Sequence, residues 1–263
     1  MKTIFFLALG SSLSLVALAD DGWVGNGGTP STMGGKHPAI RMADETVTVH
    51  VGRERTTVDC LFHFVNDGDA TTVKMGFPDY DSNREEASQG TVFKKYESWV
   101  DGKKTPCKFE GSNDDGFWQT KMVSFGAKQK RTVRDRYIIE TGAGFQGGTY
   151  YLHYAGYILH TGNTWKGSIG RAEVDIDFDS KFLSPAKLIP DEAFNAKVHP
   201  ENGEFNEKVL NDVMKRNRRT VFWSGPGKPV LSNGHIRFVL TDFQPSEHDD
   251  IFLSFGPYKN GGG

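Results

Sequence analysis

The sequence predicts an all-β protein, an antiparallel β-sandwich arranged as two β lobes with one short helix. Apolar residues recur with period two along most of the chain, turn residues interrupt these runs about every ten residues, and only one stretch carries a convincing helical pattern. Composition agrees with a folded chain: hydrophobic residues make up 37%, charged residues 24%, and aromatics 12%, including 19 Phe, whereas disordered chains are poor in rings. At 263 residues the length suits one large all-β domain or two small ones.

The first alternation sets Val47, Val49 and Val51 on one face and Thr46, Thr48 and His50 on the other. Next, Val58, Cys60, Phe62 and Phe64 alternate with Asp59, Leu61, His63 and Val65, and Asp67-Gly68-Asp69 supplies the turn before a strand over 73–77. Further strands are expected over 91–100, 103–109 after the Asp101-Gly102 turn, 117–125, 132–139, 150–159, 172–178, 220–223, 235–243 and 251–255. The helix is expected over 206–217. Asn206 caps it, Val209, Leu210, Val213 and Met214 form its apolar face, and Lys215, Arg216, Arg218 and Arg219 lie at the end that the dipole favours for cations. A Gly-rich segment over 20–45 precedes a first lobe over 46–141. The glycines at 142, 144, 147 and 148 then mark the boundary to a second lobe over 142–260, with a single continuous sandwich as the alternative.

The N-terminus reads as a secretory signal peptide over 1–19. One basic residue, Lys2, precedes a short apolar run that ends Ala17-Leu18-Ala19, and Asp20 at the expected cleavage site is not the cysteine that a lipid anchor needs. No later stretch reaches the roughly 18 apolar residues of a membrane helix, so the expected product is secreted or periplasmic with no transmembrane segment after cleavage. In an oxidising compartment Cys60 and Cys107 are expected to form a disulfide, which would remove roughly 4 kcal/mol of unfolded-chain freedom; the alternative is two separate buried thiols. A formal charge of −2 supplies no field for steering nucleic acid or an anionic membrane, so neither is an expected partner.

In matching order the chain carries Ile40-Arg41-Met42 and Glu45 after the Gly-rich start, then Phe64-x-Asn66-x-Gly68, Gly76-Phe77-Pro78 and Trp99-Val100-Asp101-Gly102-Lys103. Last come Thr161-Gly162 and Trp165-Lys166-Gly167-x-Ile169-Gly170. In this order the chain resembles domain-of-unknown-function family 4424 of secreted bacterial proteins. The resemblance implies a periplasmic or secreted β-rich protein and transfers no catalytic residue.

Three groups of residues are candidates for chemistry. Glu173, Asp175 and Asp177 share one strand face at steps of about 6.5 to 7 Å, a pattern that suits a pair of carboxylates flanking a glycosidic bond, a hard-cation site, or a solvent face paired with Arg134 and Arg136. Asp79-x-Asp81-x-Asn83 begins like a calcium loop but has Arg84 where that loop needs glycine and Gly90 where it needs a bidentate glutamate. The aromatic residues Tyr154, Tyr157 and Trp165, the last in a glycine-flanked loop, are the expected ligand-binding residues for a sugar or peptide. The eight histidines form no ligand motif, no serine sits in a nucleophile elbow, and Cys60 lies among apolar neighbours that keep a thiol inert. No metal site, catalytic residue or cofactor is therefore assigned. The expected function is a non-enzymatic binding protein of the cell envelope that engages protein or glycan, with a hydrolase working through Glu173, Asp175 and Asp177 as the alternative.

Overall fold

The computed structural model describes residues 22–23, 36–79, 90–112, 116–146, 150–193, 208, 218–246 and 248–259. Its strands, in chain order, are β1 (Gly22–Trp23), β2 (Ile40–Val51), β3 (Arg55–Asn66), β4 (Thr71–Pro78), β5 (Lys95–Val100), β6 (Lys103–Thr105), β7 (Lys108–Ser112), β8 (Gly116–Phe125) and β9 (Lys130–Glu140). They continue with β10 (Gly142–Gln146), β11 (Tyr150–Tyr157), β12 (Ile169–Phe178), β13 (Lys187–Pro190), β14 (Thr220–Ser224), β15 (Val230–Ser232), β16 (His235–Phe243) and β17 (Ile251–Lys259). The all-β expectation holds. The signal peptide over 1–19 and nearly all of the helix over 206–217 lie outside the described residues.

These strands build an eight-stranded sheet, β15-β16-β12-β2-β3-β9-β5-β6, and two smaller sheets, β1-β4-β8-β7 and β10-β11-β17-β14-β13. Both smaller sheets pack on the same inner face of the long one. The four-stranded sheet meets it at Phe77 against Tyr137, with ring centroids 5.0 Å apart, and the five-stranded sheet at Phe178 against Phe255, 5.1 Å apart. One continuous core results.

Two features refine the expectation. Pairing is not wholly antiparallel, since β12 runs parallel to β2 and β13 parallel to β14. Nor does the glycine break at 142–148 coincide with a sheet boundary: the long sheet takes β2, β3, β5, β6 and β9 from before it and β12, β15 and β16 from after it.

The outer face of the long sheet follows directly from alternation. Val47, Val49, Val51, Val58, Cys60, Phe62 and Phe64 point into the core, leaving Thr46, Thr48, His50, Thr57, Asp59 and Leu61 on the other side. Ile40 and Met42 also point inward although their parity is opposite to that of Val47, because β2 carries a bulge between Met42 and Asp44. Gly170 sits against that bulge, where a Cβ would stand 2.4 Å from the Ala43 carbonyl, so only glycine lets the chain enter β12 there. The run over 103–109 divides at Pro106, which has no N–H to continue a ladder, and its halves join different sheets as β6 and β7.

Candidate functional site

The structure separates the expected site residues. Trp165 follows a 3-10 turn (His160–Thr164) that turns its ring inward. It is 1% exposed and packs against Phe64 with centroids 4.8 Å apart. Tyr157 is also 1% exposed, and its hydroxyl lies 3.6 Å from the Cys60 sulfur. Tyr154 stacks on Phe252, and burial, with Asp191 adding repulsion, pushes its hydroxyl up to about 12. The three expected ligand-binding aromatics are therefore core residues here, and none presents a ring face to solvent. A glycine-flanked loop looked exposed because nothing local in the sequence reports that the long sheet lies beneath it.

The expected Cys60–Cys107 disulfide is absent: the two cysteines are not bonded to each other. Cys60 faces the core from β3, whereas Cys107 lies just beyond the edge strand β6. Cys60 is aligned with Asp135, Asp135 with Ser98, and Ser98 with Thr105, three strand steps or about 14 Å. A disulfide spans less than about 7 Å between Cα atoms.

Glu173, Asp175 and Asp177 do share the outer face of β12, as expected. Their partners differ from those anticipated. Arg171 reaches Glu173 at 2.6 Å, His235 and Arg237 reach Asp175 at 2.8 and 3.1 Å, and His50 reaches Asp177 at 2.9 Å. All three carboxylates thus have a side-chain partner on an open strand face, arginine for Glu173 and Asp175 and a histidine for Asp177. The incomplete calcium loop fares similarly at its one described member: Asp79 is buried and accepts bonds from Thr91 at 2.5 Å, the Val92 amide at 2.9 Å and Gln119 at 2.9 Å. Asp81 and Asn83 lie outside the described residues. His153 lies on β11 and His160 in the 3-10 turn, where Asp250 holds His160 at 2.8 Å. Among the described residues, no three His, Cys, Asp or Glu side chains converge as a metal site.

What the sheet does assemble is a trough on its outer face, about 520 Å³, crossing β2, β3 and β9 and lined by Thr46, Thr48, His50, Thr57, Asp59, Leu61, Arg134 and Arg136. A smaller recess of about 250 Å³ shares Leu61 and Arg134 and extends toward Trp99 and Gly102. Asp59 takes Arg134 through both oxygens, at 2.7 and 2.5 Å, and the Arg134 guanidinium lies 5.6 Å from the Trp99 ring centre. That pairing raises the Arg134 pKa. Beyond it, Lys104 and Lys95 bind Glu97 at 2.8 and 2.6 Å and hold its carboxyl down to about 2. The face was legible in part, since the Thr46, Thr48, His50 side and the shared face of Arg134 and Arg136 follow from period two. Their convergence was not, because β2, β3 and β9 meet only through long-range pairing.

One charged pair escaped the sequence reading entirely. Lys121 on β8 and Asp135 on β9 meet at 2.7 Å with both side chains fully buried, tying the four-stranded sheet to the long one. The signal was present: each sits in phase with apolar inward positions, Lys121 with Val123 and Phe125, Asp135 with Val133 and Tyr137.

No protein-family model matches the chain, and no curated protein sequence matches it. Among solved structures, one is described as a "putative nutrient binding protein" from Legionella pneumophila. It is 13% identical, the alignment covers 91% of this chain and 70% of that one, and the TM-score is 0.59. The shared property is the fold. An M1 zinc metallopeptidase from Deinococcus radiodurans aligns with a TM-score of 0.39 at 9% identity, over 84% of this chain and 43% of that one. The leukotriene A4 hydrolase of Saccharomyces cerevisiae gives 0.40 at 8%, over 82% and 29%. Likeness at that level decides nothing about activity.

Proposed function

We propose that this chain is a non-enzymatic, exported binding protein of the bacterial envelope that engages its ligand on the outer face of the eight-stranded sheet. The observation that carries the reading is the trough of about 520 Å³ across β2, β3 and β9, a concavity of a size that small ligands occupy, lined by threonine, histidine, aspartate and arginine residues together with Leu61. The hydrolase alternative loses support because Glu173 and Asp175 are each paired with an arginine and Asp177 is bonded to His50, all on an open face. Acid-base chemistry instead relies on carboxyl groups in contrasting environments within a cleft. A binding role is also compatible with the fold likeness to the Legionella protein. Export rests on the leader-like N-terminus, and the resemblance to domain-of-unknown-function family 4424 points the same way.

No helix among the described residues is long and apolar enough to cross a membrane. Recovery of protein beginning at Asp20 from the periplasm or medium is the expected result of N-terminal sequencing. The binding surface is tested on an array of envelope glycans with wild type and Thr48→Trp, which fills the trough, alongside Met122→Glu, which changes an exposed residue on β8. Signals lost in Thr48→Trp and kept in Met122→Glu support the reading; equal signals in all three reject it.

A further inference from the structure

Inside the trough, one cation is left uncommitted. Arg136 on β9 is aligned with Asp59 on one side and Glu97 on the other, and either carboxylate would ordinarily take it. Both already hold other cations. Arg134 occupies the two oxygens of Asp59, while Lys95 and Lys104 each occupy one oxygen of Glu97. Arg136 makes no hydrogen bond or ion pair with the described residues. A guanidinium offers five N–H donors in a planar fork that matches a carboxylate bidentately.

The surroundings restrict what such a carboxylate is attached to. The side-chain hydroxyls of Thr46, Thr48 and Thr57 line the same trough and have no side-chain partner among the described residues. Thr48, Asp59 and Arg136 lie in one row across three strands, so two strand spacings, about 9.5 Å, separate the first from the last. One pyranose ring with its exocyclic carboxylate spans that interval. Leu61 offers an apolar contact for the C–H face of such a ring, and hydroxyls that both donate and accept suit its ring oxygens. An extended peptide is a poorer match: it docks on sheets by pairing with an edge, and the edges of this sheet, β15 and β6, lie at the ends of the strand order.

We propose that the trough takes a carboxylate-bearing saccharide unit, with the Arg136 guanidinium gripping the carboxylate and Thr46, Thr48 and Thr57 contacting the hydroxyls. The proposal rests on the reading of the outer sheet face as the binding surface and names the ligand class for it. Because Asp59 is neutralised by Arg134, the approaching carboxylate meets one unbalanced positive charge.

Titration of the full chain with glucuronate, glucose and acetate at matched ionic strength separates the components. Glucuronate carries both features, glucose the hydroxyls alone, and acetate the carboxylate alone. Glucuronate is expected to bind at least tenfold more tightly than either, to lose at least tenfold in Arg136→Gln, and to weaken as salt rises from about 0.05 to 0.5 M. Arg136 is exposed, so its variant is expected to keep the wild-type melting temperature, which shows that the loss is local. No saturable glucuronate binding, equal affinity for glucose, equal affinity for acetate, or an unaffected Arg136→Gln variant overturns the proposal. Neutral glycans retained on the array and lost in Thr48→Trp would sustain the binding surface while overturning its acidic ligand.

Discussion

Lys121 and Asp135 illustrate how much a single residue decides. Each is fully buried, and together they link two sheets at 2.7 Å, so removing one partner strands a charge in the core. Lys121→Met is expected to destabilise by about 3 to 5 kcal/mol in urea titration, whereas the double variant Lys121→Met with Asp135→Leu recovers most of that loss. If the single variant matched wild type, the pair would carry no such weight. The cysteines give a second residue-scale expectation. Alkylation of unfolded, unreduced protein should label both Cys60 and Cys107, since β9 and β5 stand between β3, which carries Cys60, and β6, which Cys107 follows; an unlabelled mass would restore the disulfide. Residue identity was legible at these positions, and residue partnership was not. Two thiols in a chain expected to be exported suggest a bond on chemistry alone, and only the order β3-β9-β5-β6 shows that they are out of reach.

At the scale of the element, alternation located β2, β3, β9, β12 and β16 because one face of each is buried and the other open. β11 is different: every residue from Leu152 to Tyr157 is buried, so its aromatics report packing on two sides and not a binding platform. The same burial acts on His153, whose ring lies 4.9 Å from Phe182 and 6.1 Å from Phe255. Burial, reinforced by Arg53, lowers its pKa to about 4 from 6.5. Between those values the unfolded chain binds more protons than the folded one. Stability is therefore expected to fall as pH drops from about 6.5 to about 4, and this contribution levels off below. Urea midpoints across that window should decline less steeply in His153→Phe; an unchanged slope would show that His153 is not responsible. Strand pairing lay beyond the sequence. The parallel match of β12 to β2 joins residues more than a hundred positions apart, and its register is set by the shared core and by the close approach of Gly170 to Ala43.

At the scale of the whole molecule, the long sheet and its single core span the Gly-rich segment at 142–148. Unfolding is accordingly expected as one transition, with far-ultraviolet circular dichroism and tryptophan fluorescence coinciding in urea; two separated midpoints would instead mark independently folding lobes. The same architecture explains where binding chemistry remains available. The inner face of the long sheet is consumed by the two smaller sheets, with Tyr157 and Trp165 in the shared core, so the outer face is the one left open. The most direct check is an NMR map of backbone amide shifts during titration with the glycan that the array selects. The account predicts perturbations grouped at Thr46, Thr48, Thr57, Leu61 and Arg136. Perturbations gathered instead around Tyr154 and Trp165, or along β4 and β8, would contradict it.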